Sequence, residues 1–179
     1  MQFTKLRVKN WRNFWKPAEV TLADRVFIVG PNASGKSNLL DVFRFLRDLV
    51  PPHGNFQKAV ESRGGVQSLR CLAARRDPVV SVGVDLNLGD SGHWTYDLSF
   101  AQKGFARPEI QLERVTHNGK AVLERPDEAD RSDKLRLTQT ALEQINANRA
   151  FRAVAEFFAK VSYQHLIPQV VREPDRFTT

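Results

Sequence analysis

Four segments in the middle of the chain alternate apolar and polar residues with a period of two. They are residues 80–88, 94–100, 109–116 and 120–124. The turn residues Gly89–Gly92 separate the first two segments. Asn118-Gly119, a dipeptide preferred in two-residue hairpin turns, separates the last two. The pattern predicts an antiparallel meander of about four strands.

The N-terminal part of the chain predicts a different arrangement. Residues 2–9 alternate imperfectly and residues 18–22 form a short segment, and each predicts a strand. Residues 25–30 form an apolar run that stops at a glycine, which is typical of a strand buried on both faces. Residues 36–50 carry apolar residues at helical spacing, and Pro51-Pro52 would end that helix. A strand, a glycine loop and a helix are therefore expected in succession.

The rest of the chain predicts two helices, a linker and one more strand. A short helix is expected near Phe56–Glu61, and residues 126–133 predict an acidic linker after the meander. Residues 134–160 predict a helix that is broken near 146–148. A final strand is predicted at roughly 162–167.

The glycine loop carries the clearest chemistry in the sequence. It matches the P-loop pattern Gly-x4-Gly-Lys-[Ser/Thr] in full, and its members are Gly30, Pro31, Asn32, Ala33, Ser34, Gly35, Lys36 and Ser37. Backbone N–H groups of such a loop point at anionic oxygens, and the following helix adds the positive end of its dipole. Lys36 would contact the β- and γ-phosphates, and Ser37 would coordinate Mg²⁺. The motif predicts a site for ATP with Mg²⁺; the alternative is a glycine-rich turn with an accidental lysine.

Length and composition narrow the class of protein. A chain of 179 residues suits one domain, and no apolar run is long enough to span a membrane. The single cysteine, Cys71, excludes an internal disulfide, fits a reducing compartment and is predicted to lie in the core. The four histidines lack ligand spacing, so no structural metal site is expected. We therefore expect a soluble, cytoplasmic protein without a membrane partner.

The charge is unevenly distributed along the chain. The net charge of +7 comprises +9 in residues 1–76, −5 in residues 77–130 and +3 in residues 131–179. A basic surface can bind nucleic acid because Lys and Arg neutralise phosphates. The alternatives are attraction of nucleotide phosphates and an acidic partner. Within the basic part, residues 63–65 and 70–76 either contact phosphates or form a solvated surface loop.

The residues around the P-loop resemble a known group of ATPases. Residues 8–14 (Val-Lys-Asn-Trp-Arg-Asn-Phe) and 27–38 (Phe-Ile-Val-Gly-Pro-Asn-Ala-Ser-Gly-Lys-Ser-Asn) resemble ABC-superfamily ATPases of the SMC/RecF group. They are especially similar to AAA-family ATPases related to OLD-family proteins, and residues 163–174 look like the same family. The resemblance covers essentially the whole chain. It implies an α/β fold, namely the N-terminal lobe of an ABC-ATPase-like P-loop NTPase with an appended antiparallel β-subdomain.

The resemblance also implies a division of the chain and three further site residues. Residues 1–76 would form the P-loop core, residues 77–125 the meander, and residues 134–179 a helix and strand leading to a second lobe. Arg12 matches a position that approaches the nucleotide; the alternative is a solvent-facing arginine in a turn. Gln169 would be the glutamine that binds Mg²⁺ and senses the γ-phosphate; the alternative is a surface residue. Asn38 would support the loop from the face of the helix.

Hydrolysis in this superfamily requires elements that this sequence does not contain. A Walker B strand ends in Asp-Glu, but in the candidate segment 79–85 the aspartate is followed by Leu86. A Leu-Ser-Gly-Gly-type signature is also absent from the sequence. We therefore expect the N-terminal lobe of a longer ATPase, inactive or very slow alone, that dimerises with ATP. A second ATPase lobe or subunit, DNA, and a nuclease or other effector are its candidate partners, in DNA repair or anti-phage defence.

Two other functions remain open at this stage. The chain could be a non-catalytic module that uses ATP as a regulatory or assembly ligand. It could instead be a basic nucleic-acid-binding domain with a vestigial P-loop, in which case salt-sensitive DNA binding would survive Lys36→Ala. A second lobe that carries the signature and the Walker B strand would favour the ATPase.

Overall fold

One antiparallel sheet organises the part of the chain that the structure describes. The computed structural model describes residues 1–74 and 77–164. The sheet has six strands in the order β2-β1-β3-β4-β5-β6. Their bounds are β1 Gln2–Lys9, β2 Ala18–Thr21, β3 Val80–Asn87, β4 His93–Ala101, β5 Glu109–His117 and β6 Lys120–Arg125.

Five α-helices accompany the sheet in the described part of the chain. They are α1 Lys36–Asp48, α2 Phe56–Glu61, α3 Gly65–Leu69, α4 Glu128–Ser132 and α5 Arg152–Ala159. Three 3-10 turns occupy Gly89–Ser91, Lys134–Thr138 and Ala147–Phe151. The mixed α/β class predicted from the sequence is confirmed. No helix in residues 1–74 or 77–164 is long and apolar enough to cross a membrane.

The predicted meander continues the sheet that the N-terminal strands begin. Strand β3 pairs with β1 on one side and with β4 on the other, placing Leu6 opposite Val84 and Val84 opposite Tyr96. All predicted strands between residues 80 and 124 form. The Asn118-Gly119 turn has positive φ at both residues (49° and 78°), as a type I′ hairpin turn requires.

The helices cover one face of the sheet. Alternate residues of the strands, such as Val84 and Tyr96, are fully buried there with Phe45 of α1 and Phe158 of α5. The rings of Tyr96 and Phe158 meet edge to face at 5.6 Å. Burial of each such side chain is worth about 1.5–3 kcal/mol, so this layer supplies most of the stability.

The opposite face of the central strands is polar. The Arg7 guanidinium on β1 lies between two carboxylates, at 2.6 Å from Asp85 on β3 and 3.0 Å from Asp97 on β4. The hydroxyl of Ser99 donates to that of Ser81 across the same pair of strands. This division explains the period of two, because each strand presents one apolar and one polar face.

The strand predicted at residues 25–30 is not present. Residues 26–30 have no regular structure, and the side chains of Phe27 and Val29 are about nine-tenths exposed, at 89% and 91%. A strand needs a neighbour to take up its backbone hydrogen bonds. Among the described residues, the six strands pair with one another and none of them pairs with this segment.

The long helix predicted over residues 134–160 is also wrong, since only Arg152–Ala159 is α-helical. Side chains hold the preceding backbone in another conformation. The Glu113 carboxylate accepts the N–H groups of Ala141 and Leu142, and the Asn148 amide donates to the Leu142 carbonyl. Such side-chain bonds compete with the helical hydrogen bonds. Residues 162–164 form no strand, and the rest of the predicted final strand lies outside the described residues.

The acidic linker predicted at residues 126–133 is instead a folded segment. Helix α4 begins with a capping box in which Asp127 and Asp130 each accept the other's backbone N–H. The Asp130 side chain is fully buried and accepts two hydrogen bonds of 2.8 Å from Arg125 and one of 3.1 Å from Arg136. The acidic composition predicted a linker because the sequence does not show that Asp130 pairs with Arg125 and Arg136.

Candidate nucleotide-binding site

The P-loop connects the exposed segment 25–30 to helix α1. Its backbone enters the left-handed region twice, at Ala33 (φ 63°) and Gly35 (φ 97°). The left-handed conformation favours glycine at position 35, and a Cβ atom there would also displace the side-chain amide of Asn13. Ala33 adopts the same region with a Cβ, at a cost of about 1–2 kcal/mol. The turn thus folds the loop back over the start of the helix.

Helix α1 begins without an acidic residue in its own first turn. The helix is 13 residues long, its N-cap is Gly35, no side chain caps it, and no acidic residue occupies its first turn. The first N–H groups of a helix have no partner within the helix, and the helix dipole favours an anion near them. The end of α1 therefore fits a phosphate group.

Lys36 folds back over the loop that precedes it. Its ammonium donates to the backbone carbonyls of Gly30 at 2.8 Å and Pro31 at 2.6 Å. These bonds hold a positive charge above the loop. Phosphate oxygens, being anionic, would form stronger charge-assisted bonds with the ammonium than neutral carbonyls do.

The residues present also fit a magnesium ion held mainly by phosphate. Ser37, in the first turn of α1, is exposed and offers one hydroxyl oxygen. Within residues 1–74 and 77–164, no three His, Cys, Asp or Glu side chains are grouped as a metal site. Mg²⁺ commonly takes a few protein oxygens and completes its octahedron with phosphate and water. Gln169, the other predicted magnesium ligand, lies outside the described residues.

The turn between β1 and β2 braces the P-loop. The Trp11 indole N–H donates to the Asn38 carbonyl at 2.9 Å, and Trp11 is fully buried. The Asn38 amide donates to Asn13 at 2.9 Å, and the Asn13 amide donates to the Ser34 carbonyl at 3.4 Å. Asn38 thus lies where a supporting residue would lie, and its role in binding stays a prediction. Sequence reasoning missed Asn13, although it stands next to Arg12 in the turn.

Arg12 joins the turn to two helices. Its φ is 53°, and its backbone N–H donates to the Leu69 carbonyl at 2.6 Å. Its guanidinium lies 3.4 Å from the Asp41 carboxylate of α1 and 3.3 Å from the Ser68 carbonyl of α3. The two guanidinium contacts hold the side chain against the protein, whereas the alternative was an arginine that faces solvent. Arg12 is held beside the P-loop helix, and contact with a nucleotide stays a prediction.

Arg63 does not belong to a phosphate-binding surface. Its side chain is 6% exposed and is shared between Asp41 at 3.1 Å and Asp48 at 2.9 Å, both on α1. The suggested phosphate contact, and the alternative of a solvated loop, are both wrong for this residue. Its charge is already neutralised inside the protein.

A polar cleft of about 1070 Å³ opens beside the P-loop. Arg12, Asn13 and Asn38 line it near the loop, and Arg70 and Gln102 line it farther away. None of the described residues that line the cleft is acidic. Cys71 also lines it and is 6% exposed, so the predicted core position of this residue is confirmed.

An apolar cleft of about 500 Å³ lies on the other side of the segment that leads to the P-loop. Val26 and Ile28 form part of its wall, together with Leu22, Leu39 and Phe43. With the exposed side chains of residues 26–29, this region presents an extended apolar surface next to the phosphate-binding loop.

Comparison with known proteins gives one family match and distant structural similarities. The sequence profile of a family described as "AAA domain, putative AbiEii toxin, Type IV TA system" matches residues 25–177. No match was found among curated proteins.

Two solved structures of SMC proteins are similar to this chain. One comes from work on "Structural biochemistry of ATP-driven dimerization and DNA stimulated activation of SMC ATPases". It is 17% identical, with a TM-score of 0.49 over 99% of this chain and 100% of that one. The SMC head domain from Thermotoga maritima is 23% identical, with a TM-score of 0.40 over 69% of this chain and 39% of that one. This chain therefore spans well under half of that head domain.

Proposed function

Because this chain belongs to the AAA-domain family of putative AbiEii toxins of type IV toxin–antitoxin systems, we propose that it is the ATP-binding lobe of an ATPase. Membership confirms the predicted relationship to AAA-type ATPases. The observation that carries the proposal is the P-loop geometry. A left-handed turn at Gly35 leads into a helix N-terminus that no side chain of the described residues caps, and the Lys36 ammonium lies over the same loop.

ATP binding would use each of these groups in turn. The β- and γ-phosphates would accept hydrogen bonds from the N–H groups of the loop and of the first turn of α1. Lys36 would move its hydrogen bonds from the carbonyls of Gly30 and Pro31 to phosphate oxygens. Ser37 would give Mg²⁺ one ligand. Bound Mg²⁺ would neutralise part of the phosphate charge, and the residues of this chain would hold the phosphates in place.

The exposed apolar surface supports a second lobe as the partner of this one. Residues 26–29 have the composition of a buried strand, yet they are exposed in the described structure. A neighbouring strand from a second lobe would cover them and take up their backbone hydrogen bonds. We propose that this lobe also carries the Walker B carboxylates and the signature segment. ATP bound between two such assemblies would gate their dimerisation.

The proposed biological setting is DNA repair or anti-phage defence, with DNA and a nuclease or other effector as candidate partners. Two observations support it. Residues 1–76 carry a net charge of +9, which suits contact with nucleic-acid phosphates. The family is described by its putative toxins of toxin–antitoxin systems, which fits an effector output.

Equilibrium binding of a fluorescent ATP analogue with Mg²⁺ tests the proposal. The wild type should bind, and Lys36→Ala should weaken binding at least about tenfold, the loss expected for one charge-assisted contact. Lys58→Ala, which removes an exposed lysine on α2, is the matched control and should bind like the wild type. Equal affinity of Lys36→Ala and wild type would overturn the proposal.

ATP could also serve as an assembly ligand without turnover, because this sequence lacks the Walker B and signature elements. Mixing the chain with a candidate second lobe separates the two functions. Phosphate release that depends on both polypeptides indicates an ATPase. A stable complex that forms with ATP and releases no phosphate indicates an assembly module.

A further inference from the structure

The loop between β4 and β5 exposes an aromatic ring between two cations. Phe105 is fully exposed at the tip of this loop, and the flanking residues Lys103 and Arg107 are also exposed. Gly104 has a φ of +56° and nothing within 4 Å of the position a Cβ would take. A fully exposed phenylalanine buries no area in the protein core, so its ring is accessible to an external ligand.

The cations of this region are available to an external anion. Among the described residues, Lys103, Arg107 and Arg70 have no salt-bridge partner. By contrast, Arg12 and Arg63, which belong with Arg70 to the basic residues 1–76, are paired with Asp41. The positive charge of residues 1–76 is therefore partly neutralised inside the fold, whereas Arg70 and the two cations of the loop, Lys103 and Arg107, have no such partner among the described residues.

The loop forms one wall of the polar cleft beside the P-loop. Gln102 and Gly104 line that wall, while Arg70 and Leu72 line the facing one, and Leu72 is 87% exposed. The described lining contains side-chain amides and no carboxylate. The lining of this cleft thus combines cations, amides and the exposed Leu72 without a carboxylate among the described residues. Phe105 and Arg107 border a second cleft, which Lys58, Glu61 and Glu143 also line.

We propose that this basic-aromatic rim binds single-stranded nucleic acid. The rim consists of Arg70, Leu72, Lys103, Phe105 and Arg107. Phosphates would pair with the three cations, and a base would stack on Phe105, as bases do on aromatic side chains of single-strand-binding proteins. A duplex keeps its bases stacked inside and gives an exposed ring no such face. The proposal deepens the candidate contact with DNA in the proposed function, but it does not depend on ATP binding.

Fluorescence anisotropy with a labelled oligothymidylate of about 16 nucleotides tests this proposal on the full chain. Phe105→Ala should weaken binding roughly 5- to 100-fold, the range that corresponds to the loss of one stacked base. The double variant Lys103→Ala/Arg107→Ala should also weaken binding. It should lower the slope of log affinity against log salt concentration by about 1.4, since each phosphate contact on a single strand contributes about 0.7.

The matched control is Lys134→Ala/Leu135→Ala, which removes an exposed lysine and a 73% exposed leucine elsewhere on the surface. It should bind the oligonucleotide like the wild type. Lys36→Ala should also bind like the wild type, so a failure of ATP binding and a failure of the rim are distinguishable. Unchanged melting temperatures would show that Phe105→Ala and the double variant remain folded.

Three results would overturn the proposal. Equal affinity of the wild type and Phe105→Ala for the oligonucleotide would show that the ring does not contact it. Complete displacement of the oligonucleotide from the wild type by Mg-ATP would show that the oligonucleotide occupies the ATP site and not a separate one. Binding of the rim to vesicles with anionic lipid, without binding of the oligonucleotide, would identify a membrane surface as the partner.

Discussion

Two regions of this protein differ in how they accommodate groups that are unfavourable for folding, namely buried charges and exposed apolar side chains. Where the end of β6 pairs with the middle of β5, charged side chains are buried and fully paired: Arg125 contacts Glu113 at 2.9 Å and Asp130 at 2.8 Å. Around the P-loop, apolar side chains are exposed and the phosphate-binding backbone is turned outward. The first region is complete within the described chain. The second has the groups that a ligand and a neighbouring strand would satisfy.

The buried ion cluster shows which partners a charged group needs inside the protein. Glu113 is fully buried and accepts hydrogen bonds from the Tyr96 hydroxyl and from the N–H groups of Ala141 and Leu142 as well as from Arg125. Burial raises the pKa of Glu113 despite these bonds. Hydrogen bonds from Arg125 hold the pKa of Asp130 well below its usual range. A buried charge is tolerated here because every partner comes from the same fold.

Exposure of the P-loop region is therefore a local property. The same chain buries and pairs difficult groups where it can, so the exposed residues 26–29 do not reflect a generally loose structure. A binding surface is the natural explanation for a strand-length apolar segment beside a phosphate-binding loop.

The largest expected effect comes from breaking the ion cluster. Arg125→Met leaves the buried carboxylate of Glu113 without a cation and that of Asp130 with Arg136 alone, and it should lower the free energy of unfolding by about 3–5 kcal/mol. Arg114→Met is the control, because its pair with Glu124 is exposed and screened by water and should contribute little to stability. Urea unfolding of the three proteins measures both. Similar losses for the two variants would contradict the account of the cluster.

Acid should weaken the same cluster through Asp130. Its folded-state pKa lies below the value of about 3.9 for an unfolded aspartate, so its contribution to stability is present above that pH and is lost as pH falls below it. Asp130→Asn lacks this carboxylate at every pH. The difference in unfolding free energy between wild type and Asp130→Asn should narrow below about pH 4. A constant difference between pH 7 and pH 3 would show that Asp130 is not ion-paired.

A smaller effect on stability, but a larger one on binding, is expected in the P-loop. Gly35→Ala places a Cβ against Asn13 in a left-handed conformation and should cost about 1–2 kcal/mol. It should also weaken ATP binding at least about tenfold, because the left-handed turn is strained and the Asn13 amide, which bonds to Ser34 and Asn38, must move. Gly119→Ala has similar backbone strain, at φ +78° with no neighbouring atoms, far from the loop. It should retain ATP binding, and loss of binding in both variants would refute a specific role for Gly35.

The smallest effect is expected in the exposed apolar segment. Phe27→Ser should change the free energy of unfolding of this chain by no more than about 0.5 kcal/mol, because the ring makes little contact with the core. Leu46→Ala, at a fully buried position of α1, should cost about 2–5 kcal/mol and serves as the comparison. A loss of several kcal/mol in Phe27→Ser would show that the segment is packed rather than displayed.

The sequence predicted those parts of the fold whose signal is local. Alternation located β3 to β6, the Asn118-Gly119 pair located one turn, and helical spacing located α1. The P-loop itself was visible because its glycines and its lysine act at fixed spacing.

The errors share a different physical cause. Residues 25–30 have strand composition, but a strand also needs a neighbour, which the local pattern does not report. Residues 134–151 lost their predicted helix to side chains from a distant strand, mainly Glu113. Asp130 looked solvated because its partners, Arg125 and Arg136, are evident only in three dimensions. The bracing of the loop by Asn13 was missed for the same reason.

Thermal unfolding with and without Mg-ATP, for the wild type and for Lys36→Ala, tests most directly whether the P-loop region is completed by a ligand. At a ligand concentration of 100 times the dissociation constant, the wild type should gain about 2.7 kcal/mol, and its melting temperature should rise visibly. Lys36→Ala should show little or no gain at the same concentration. A wild type that does not respond to Mg-ATP, or a Lys36→Ala variant that responds equally, would contradict the account.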